Sequence, residues 1–494
     1  MIETAGRTSH ADHGHGSNRF AVLSTPERLA DDGSLTGRGV TIAFLDSGFY
    51  PHPDLTEPED RILAYHDVFD PGAKLDPNVD PVPDSWHGTQ TSVVAAGSGH
   101  LSDGLYRGLA TDARLVLVRV GRGGRISEDA IARGLEWVLT HRERLGIRVV
   151  SLSLGGDEDR PLAESRVNQL AEEAVARGIV VVAAAGNSGC TERHRTLPPA
   201  TAPSVIAVGG YDDGNDPERR RLALYCSSFG RTADGLVKPE VIAPAMWVAA
   251  PILPRTSAWR RAEALARLAA TPDHSLAAGV RGAAEYIGAL GGTDLRTPDA
   301  LRAAIDAMLR EAKIVAAHYQ HVDGTSFAAP VVASVVAQML EANPSLGPHD
   351  VKRLLLETAV PVADLPAVRQ GYGVLDSRAA IAAARREAHR GGAEAIGPRV
   401  EGTRVFFAYH DDAAASVAIA GDFNAWAPEP LEPVGDGTWR TSRSAPPTGR
   451  HRYKLIVDGR RWIADPGNGL RESDPYGGSN SILVVKPGPS AGIG

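Results

Sequence analysis

Residues 39–48, GVTIAFLDSG, form an apolar run that ends at an acidic residue and a turn. The run lacks the alternation of a strand with one wet face, and is typical of a strand buried on both faces of a parallel sheet. Later runs have the same form: ARLVLVRV (113–120), IRVVSLSLGG (147–156), IVVVAAAGNSG (179–189) and SVIAVGG (204–210). Each is expected to be a central strand of one sheet.

Helical patterns separate these runs, for example at 127–146 and 161–178. Alternating strands and helices imply a parallel sheet with helices on both faces. We therefore predict an α/β fold for the larger part of the chain. Functional residues of such folds gather beyond the carboxyl ends of the strands. Here those ends read DSG (46–48), SLGG (153–156) and GNSG (186–189).

Composition narrows the function classes. The chain of 494 residues has a formal net charge of -8, which argues against nucleic acid as a partner because phosphate binding needs clustered basic residues. No apolar run approaches the roughly 20 residues of a membrane span. The N-terminus has no apolar segment of the secretory kind, and we expect a cytoplasmic protein.

Two small groups of metal- or redox-active residues are weak candidates for sites. Cys190 and Cys226 could form one bridge, but two reduced thiols are the simpler interpretation in a cytosolic protein. His10, His13 and His15 could hold a metal, but a polar tail without a second shell is favoured. No cofactor is predicted.

Changes in the periodicity of apolar residues divide the chain into segments. Residues from about 255 to 320 look helical and are interpreted as an insertion, either a cap near the active site or a subunit contact. Period-2 strands near the C-terminus predict a separate all-β sandwich. The proposed division is 1–38 polar segment, 39–384 main domain, 385–397 linker, 398–487 sandwich and 488–494 tail.

Four residues at element ends supply the groups that amide hydrolysis requires: a nucleophile, a base, a group that orients the base, and an oxyanion donor. They are Ser326, His87, Asp46 and Asn187. Each has an ordinary alternative. Ser326 and His87 could be helix caps, Asp46 a turn former, and Asn187 a residue that tolerates positive φ. Their joint occurrence at sheet edges favours catalysis.

The sequence at this point resembles the subtilisin-like serine peptidases, the subtilase family. The matching segments are IAFLDSGFYPHPDL (42–55), HGTQTSVVAAG (87–97), SLSLGG (151–156), VVAAAGNSG (181–189), KPEVIAPA (238–245), GTSFAAPVVA (324–333) and GYGVLDSRAAIAAA (371–384). The resemblance implies a serine endopeptidase acting on protein or peptide substrates through an acyl-enzyme. Ser326 would be the nucleophile, His87 the base, Asp46 its orienting partner and Asn187 the oxyanion donor.

The same resemblance implies where substrate binds. Ser153, Leu154, Gly155 and Gly156 match the family's edge strand, which pairs with an extended peptide. Ala184, Ala185 and Gly186 match one wall of the pocket for the residue before the scissile bond. The acidic run 157–159 follows this rim. It suggests either a basic substrate preference or, more simply, a solvated turn.

The sequence departs from the family pattern at several points, and the family properties that depend on those points are not expected of this chain. Too few residues precede the first strand for a large propeptide, so another means of control is expected. Gln90 stands where many relatives have a second His. Asp54 resembles a calcium ligand of some relatives, but the further oxygen ligands cannot be assembled, so no calcium is predicted. A quiescent scaffold, with its cleft covered by the insertion, is the alternative to an active enzyme.

The C-terminal segments SVAIAGDFNAWAPEPL (416–431), GRHRYKLIVDGRRWIADP (449–466) and DPYGGSNSILVV (474–485) resemble another family. They are similar to early-set glycan-binding modules beside isoamylase-type debranching enzymes and to the glycogen-binding module of AMP-activated kinase beta subunits. The resemblance implies contacts to α-glucan such as glycogen by Trp426, Lys454, Trp462, Tyr476 and Asn480. Alternatively, the sandwich is a packing module whose tryptophans are buried between domains.

Overall fold

A twisted parallel sheet forms the centre of the larger domain. The computed structural model describes residues 21–485 apart from 193, 219–221, 289–296, 388–397, 402, 412–413, 436, 466, 469 and 475–478. The strands lie side by side in the order Val241–Pro244, Ile206–Asp212, Val180–Ala184, Ile147–Leu152, Thr41–Asp46, Arg114–Arg119 and Ile62–Asp67. All neighbours in this order are parallel. The short strand Ala223–Leu224 adds an antiparallel edge.

The opening strand is buried on both faces, as its unbroken apolar run predicts. Ile42 and Phe44 belong to the hydrophobic cluster on one side of the sheet. Ala43 and Leu45 belong to the cluster on the other side. The α/β prediction is therefore confirmed: this strand has no solvent face on which a polar residue would be tolerated.

Helices cover both faces of the sheet. In chain order the helices are Thr25–Arg28, Pro53–Thr56, Ser85–Ala96, Glu128–Leu145, Arg166–Ala176, Ser257–Ala270, Asp273–Ile287, Pro298–Glu311, Thr325–Ala342, Pro348–Thr358, Ala367–Gln370 and Ser377–Arg386. In the part of the chain that the structure describes, Thr325–Ala342 alone is long and apolar enough for a membrane span, and 83% of it is buried inside the protein. It is the core helix of the larger domain.

The predicted insertion is a helical subdomain with its own apolar core. Its helices Ser257–Ala270, Asp273–Ile287 and Pro298–Glu311 bury leucine and isoleucine side chains against one another. Thr297 caps the last of these helices, because its side chain accepts a hydrogen bond from the N–H of Ala300. The helical pattern was expected to continue to about 320, but the last of these helices ends at Glu311. Ile314–Ala316 and Tyr319–Val322 are strands that form an antiparallel sheet with Val248–Pro251.

Cys190 and Cys226 form a disulfide, so the interpretation as reduced thiols is wrong. The two cysteines lie in loops that are already joined by backbone hydrogen bonds: Gly189 N–H donates to Cys226 O at 2.9 Å, and Ser228 N–H to Gly186 O at 2.8 Å. A sequence separation of 36 residues gave no local signal for this contact. The cytoplasmic location remains a prediction, and free thiols no longer support it.

Reduction of this disulfide is expected to lower the free energy of unfolding. Closing a loop between residues 36 apart removes conformational entropy from the unfolded chain, worth about 4 kcal/mol. Guanidinium unfolding with and without reductant measures the difference. The double variant Cys190→Ser/Cys226→Ser should match the reduced protein and should not respond to reductant. Equal unfolding midpoints for oxidised and reduced protein would contradict the expectation.

The C-terminal part is an antiparallel β-sandwich. One sheet contains Arg399–Glu401, Arg404–His410, Thr438–Ser444 and Glu432–Gly435. The other contains Glu429–Pro430, Val417–Gly421, Gly449–Val457, Ser479–Val485 and Arg471–Ser473, with Arg461–Ile463 paired to Gly449–Val457. The core between the sheets includes Phe407, Ile419, Tyr453 and Leu483. The all-β sandwich predicted from the period-2 strands is confirmed.

Candidate active site

Asp46 and His87 form a hydrogen-bonded pair at the carboxyl end of the central strand. Asp46 Oδ1 lies 2.7 Å from His87 Nδ1. The same oxygen accepts the N–H of Ser47 at 2.7 Å, and Oδ2 accepts the hydroxyl of Thr91 at 3.1 Å. The Asp46 side chain is 1% exposed, whereas that of His87 is 39% exposed. The carboxylate therefore holds the imidazole proton on Nδ1, and Nε2 is left without a proton and free to act as a base.

The pKa of His87 is set by two opposing effects. Burial lowers it, but the charge of Asp46 and its hydrogen bond together outweigh burial, so the pKa lies above the usual histidine value. An imidazole next to a fixed carboxylate accepts a proton more readily. This is the electrostatic arrangement that a general base requires.

Gly88 lets the helix Ser85–Ala96 approach the end of the strand. A Cβ at this position would lie 2.3 Å from the carbonyl oxygen of Gly48 and 2.9 Å from Asp46 Cβ. Any side chain would push the helix away from the strand. The Gly after His87 is therefore needed to keep the imidazole within hydrogen-bonding distance of Asp46.

Ser326 lies in the first turn of the buried helix Thr325–Ala342 and is not its cap. The N-cap is Gly324, at φ 143°, and no side chain caps this end. The ordinary alternative for Ser326 is therefore wrong. Ser153 Oγ donates to the backbone carbonyl of Ser326 at 2.7 Å, which ties the helix start to the neighbouring strand end.

Asn187 is held by the residue before Ser326. Its Oδ1 accepts hydrogen bonds from the backbone N–H and from the hydroxyl of Thr325, both at 2.9 Å. A backbone N–H is always a donor, so the amide oxygen must face Thr325 and the NH₂ group must point away from it. The first-turn N–H of Ser326 likewise has no partner within its helix. Two donors thus remain for a ligand.

A cavity of about 630 Å³ opens beside these groups. Ser326 and Asn187 line it, together with six of the predicted substrate residues: Ser153, Leu154, Gly155, Ala184, Ala185 and Gly186. Gly156 does not line it: it is buried, and its N–H donates to the Pro198 carbonyl at 2.7 Å. The predicted strand ends therefore meet around one cavity, and of the predicted substrate residues Gly156 alone does not line it.

Part of this lining was not predicted from the sequence. Leu197, Arg195 and Glu192 line the cavity from the loop that follows Asn187, and Asp157 lines it from the acidic run. Glu158 instead pairs with Arg160, and Asp159 accepts the N–H of Ala233 at 2.8 Å. A loop that folds back over its own strand has no periodicity, so these positions carried no sequence signal.

The described residues of the insertion do not line this cavity. The insertion packs close to His87, because the neighbouring Trp86 contacts the apolar core of the insertion. Trp259 of the insertion stacks on His318, with ring centroids 4.0 Å apart. The His87 side chain remains partly exposed. The described residues of the insertion therefore do not cover the cleft at His87 and Ser326.

Asp54, which resembles a calcium ligand of some relatives, is held by hydrogen bonds within the protein. Among the described residues there is no group of three or more His, Cys, Asp or Glu side chains placed to hold an ion. Asp54 uses both oxygens within the protein, accepting the Tyr319 hydroxyl at 2.6 Å and the Leu101 N–H at 3.2 Å. His10, His13 and His15 lie outside the described residues.

Comparison with known proteins places this site in a family. Residues 37–374 match the model of the subtilase family, peptidase family S8. The chain belongs to the subtilase family. The matched range contains Asp46, His87, Asn187 and Ser326 and includes the helical insertion.

Curated relatives extend the similarity. The chain is 31% identical over 363 residues to the serine protease AprX of Bacillus subtilis, which covers 72% of this chain and 66% of AprX. It is 34% identical over 209 residues to Subtilisin Savinase of Lederbergia lenta, covering 42% of this chain and 68% of that protein. Among solved structures, the prenylagaramide maturation protease PagA aligns with a TM-score of 0.46 at 19% identity, over 74% of this chain and 99% of that chain.

The residues predicted to bind glycan also meet at a cavity. Trp426, Lys454, Trp462 and Asn480 all line a space of about 1240 Å³ between the sandwich and the larger domain. Tyr476 lies outside the described residues. Lys454 forms an ion pair with Asp474 on the same side of the cavity.

Proposed function

We propose that this protein is a serine endopeptidase that hydrolyses peptide bonds through Ser326, His87 and Asp46. The observation that carries the proposal is the buried Asp46–His87 pair next to a cavity lined by Ser326 and Asn187. The activity of subtilase-family relatives named as serine proteases supports it.

The chemistry follows from the groups present. The Ser326 hydroxyl oxygen attacks the substrate carbonyl carbon while the free His87 nitrogen takes the hydroxyl proton. That proton then passes to the leaving amine as the C–N bond breaks, which gives an acyl-enzyme. Water repeats the sequence and releases the acid. Among the described residues the Ser326 hydroxyl makes no hydrogen bond, and catalytic contacts of this kind often tighten only when substrate binds.

The oxyanion formed in each step would meet two donors and a favourable field. The Asn187 NH₂ group is available because the amide oxygen faces Thr325. The Ser326 N–H is available because it lies in the first turn of its helix. Ser326 also lies at the N-terminal end of an 18-residue helix, which carries about half a positive charge. Such fixed donors stabilise charge that develops only in the transition state.

A fluorophosphonate probe tests the proposed activity directly. The probe labels serines activated by a neighbouring base, so we expect one adduct, located on Ser326 by mass spectrometry of the digested protein. Heat-denatured protein serves as the control and should remain unlabelled. Folded protein that takes no label at Ser326 would count against an active peptidase and favour the quiescent scaffold.

Asn187→Ala is expected to lower kcat by about 10²–10³ with little change in KM, because its amide contacts the oxyanion more strongly than the ground-state carbonyl. Steady-state hydrolysis of a peptide amide measures both constants. Thr191→Ala is the matched control, since Thr191 lies on the same loop, is exposed and does not line the cavity. An Asn187→Ala variant with unchanged kcat would remove this residue from the oxyanion site.

A second function is favoured for the sandwich: binding of α-glucan such as glycogen. Two tryptophans, Lys454 and Asn480 line one cavity, which is the combination of apolar faces and hydroxyl-binding groups that a sugar chain needs. Full-length Ser326→Ala protein should co-sediment with glycogen, and Trp426→Ala or Trp462→Ala should abolish this. Absence of co-sedimentation, or co-sedimentation unaffected by either substitution, would rule the glycan function out.

A further inference from the structure

We infer that the peptidase domain forms the second wall of the glycan site, so that an α-glucan chain is held between the two domains. This rests on the glycan binding proposed above and goes beyond it. The sandwich alone would present its tryptophans on an open face. Here that face looks across a cavity of about 1240 Å³ at the peptidase domain.

Exposed apolar groups line both walls of the cavity. On the sandwich side Trp462 is 45% exposed. On the peptidase side Val237 and Val368 are 40% and 39% exposed, and Tyr372 lies beside them. Large exposed apolar side chains that face each other across an unfilled space are typical of a binding site rather than of a packed interface. A ligand entering here would cover apolar surface of both domains at once.

Asn480 supplies an amide group to the cavity. The residue is 7% exposed and lines the cavity. A side-chain amide offers both an acceptor oxygen and two N–H donors. A hydroxyl group can both donate to the amide oxygen and accept from its NH₂ group. The cavity therefore suits a ligand with hydroxyls.

Charged side chains also line the cavity. Lys454 pairs with Asp474, Arg452 with Glu472, and Lys352 with Glu240, and two further cations, Arg231 and Arg450, lie in the lining. These groups can donate hydrogen bonds to the hydroxyls of a ligand or accept them. Apolar faces together with such donors and acceptors suit an α-glucan chain.

A direct contact sets the spacing of the walls. Arg450, in the sandwich strand Gly449–Val457, donates to the backbone carbonyl of Asp234 in the peptidase domain. Asp234 lies in the turn between the paired strands Gly230–Arg231 and Val237–Lys238, and Val237 belongs to the cavity wall. One hydrogen bond thus links the sandwich strand to the hairpin that carries the opposite wall. The cavity volume exceeds the roughly 300–1,000 Å³ of common ligand pockets, so an oligosaccharide rather than a single sugar is expected.

Binding of maltoheptaose to full-length Ser326→Ala protein, measured by calorimetry, tests the inference. Val368→Arg and Val237→Arg each place a long charged side chain in the cavity from the peptidase side. Each should weaken binding at least about tenfold, the effect of losing about one good contact. Val79→Arg is the matched control, since Val79 is 59% exposed and does not line the cavity. Because the substituted valines are exposed, all three variants should unfold at the temperature of the parent.

The outcomes separate the two proposals. No binding by the parent, or binding unaffected by Trp462→Ala, would overturn the glycan function itself. Binding that Trp462→Ala removes, but that Val368→Arg and Val237→Arg leave unchanged, would overturn the two-walled site while the glycan function stands. Weakening by both arginine variants, with Val79→Arg equal to the parent, supports the inference.

Discussion

Ser326→Ala is expected to lower kcat by about 10⁶, because the proposed acyl-enzyme cannot form without the hydroxyl oxygen. The oxyanion donors and the binding cavity remain in place, so a residual rate about 10³–10⁴ above that of water should persist. Hydrolysis of a chromogenic peptide amide over many hours measures the loss. Fluorophosphonate labelling should disappear in the same variant.

The control for this substitution lies on the same helix. Ser334 is buried, and its hydroxyl donates to the Val331 carbonyl at 2.7 Å, away from the cavity. Ser334→Ala should therefore leave kcat unchanged. Both variants should fold, since Ser326 makes no side-chain contact that supports the helix start. Retention of more than about one hundredth of the activity by Ser326→Ala would show that another residue is the nucleophile.

The fold was predictable because burial of a strand on both faces requires a continuous apolar segment that is visible in the sequence. A strand buried on both faces needs apolar residues at consecutive positions, and Ala43 and Phe44 meet opposite faces of the sheet as that requires. Prediction of secondary structure failed where it depends on pairing with a distant segment. The helical pattern of the insertion leads directly into Ile314–Ala316, but this stretch is a strand because of its antiparallel sheet with Tyr319–Val322 and Val248–Pro251.

The candidate site was predictable only at the strand ends. Asp46 and Asn187 follow long apolar runs, so their polarity is conspicuous in the sequence. The groups that position them are not conspicuous. Thr325 holds Asn187 across 138 positions of the chain, and Thr91 contacts Asp46 across 45. Contacts of this separation arise from how elements pack, and a single sequence carries no periodic signal for them.

The same limit explains the disulfide and the cavity between the domains. Cys190 and Cys226 were seen individually, but only the hydrogen-bonded loops around Asn187 bring them together. The four described glycan candidates were identified on the sandwich, and nothing in their segments indicated that Val237 and Val368 would face them. Residue types at a site are therefore easier to anticipate than the surface opposite them.

Asp46→Asn is expected to lower kcat by about 10⁴ while leaving the hydrogen-bonding distance to His87 close to that of the parent. An asparagine amide can present its NH₂ group to Nδ1, which stabilises the wrong tautomer of the imidazole. The substitution also removes the charge that raises the pKa of His87. Since the base works only when neutral, activity rises as the pH passes through this pKa. The acid limb of kcat/KM should therefore shift to lower pH.

Thr91→Val separates orientation from charge in this prediction. Thr91 donates to Asp46 Oδ2 at 3.1 Å, so its loss weakens the hold on the carboxylate without removing the negative charge. We expect a much smaller loss of kcat for Thr91→Val and an acid limb near that of the parent. An Asp46→Asn variant whose acid limb stays in place, or moves to higher pH, would mean that Asp46 is not the charge that raises the pKa of His87. The proposed division of roles between Asp46 and His87 would then be wrong, even if kcat fell as expected.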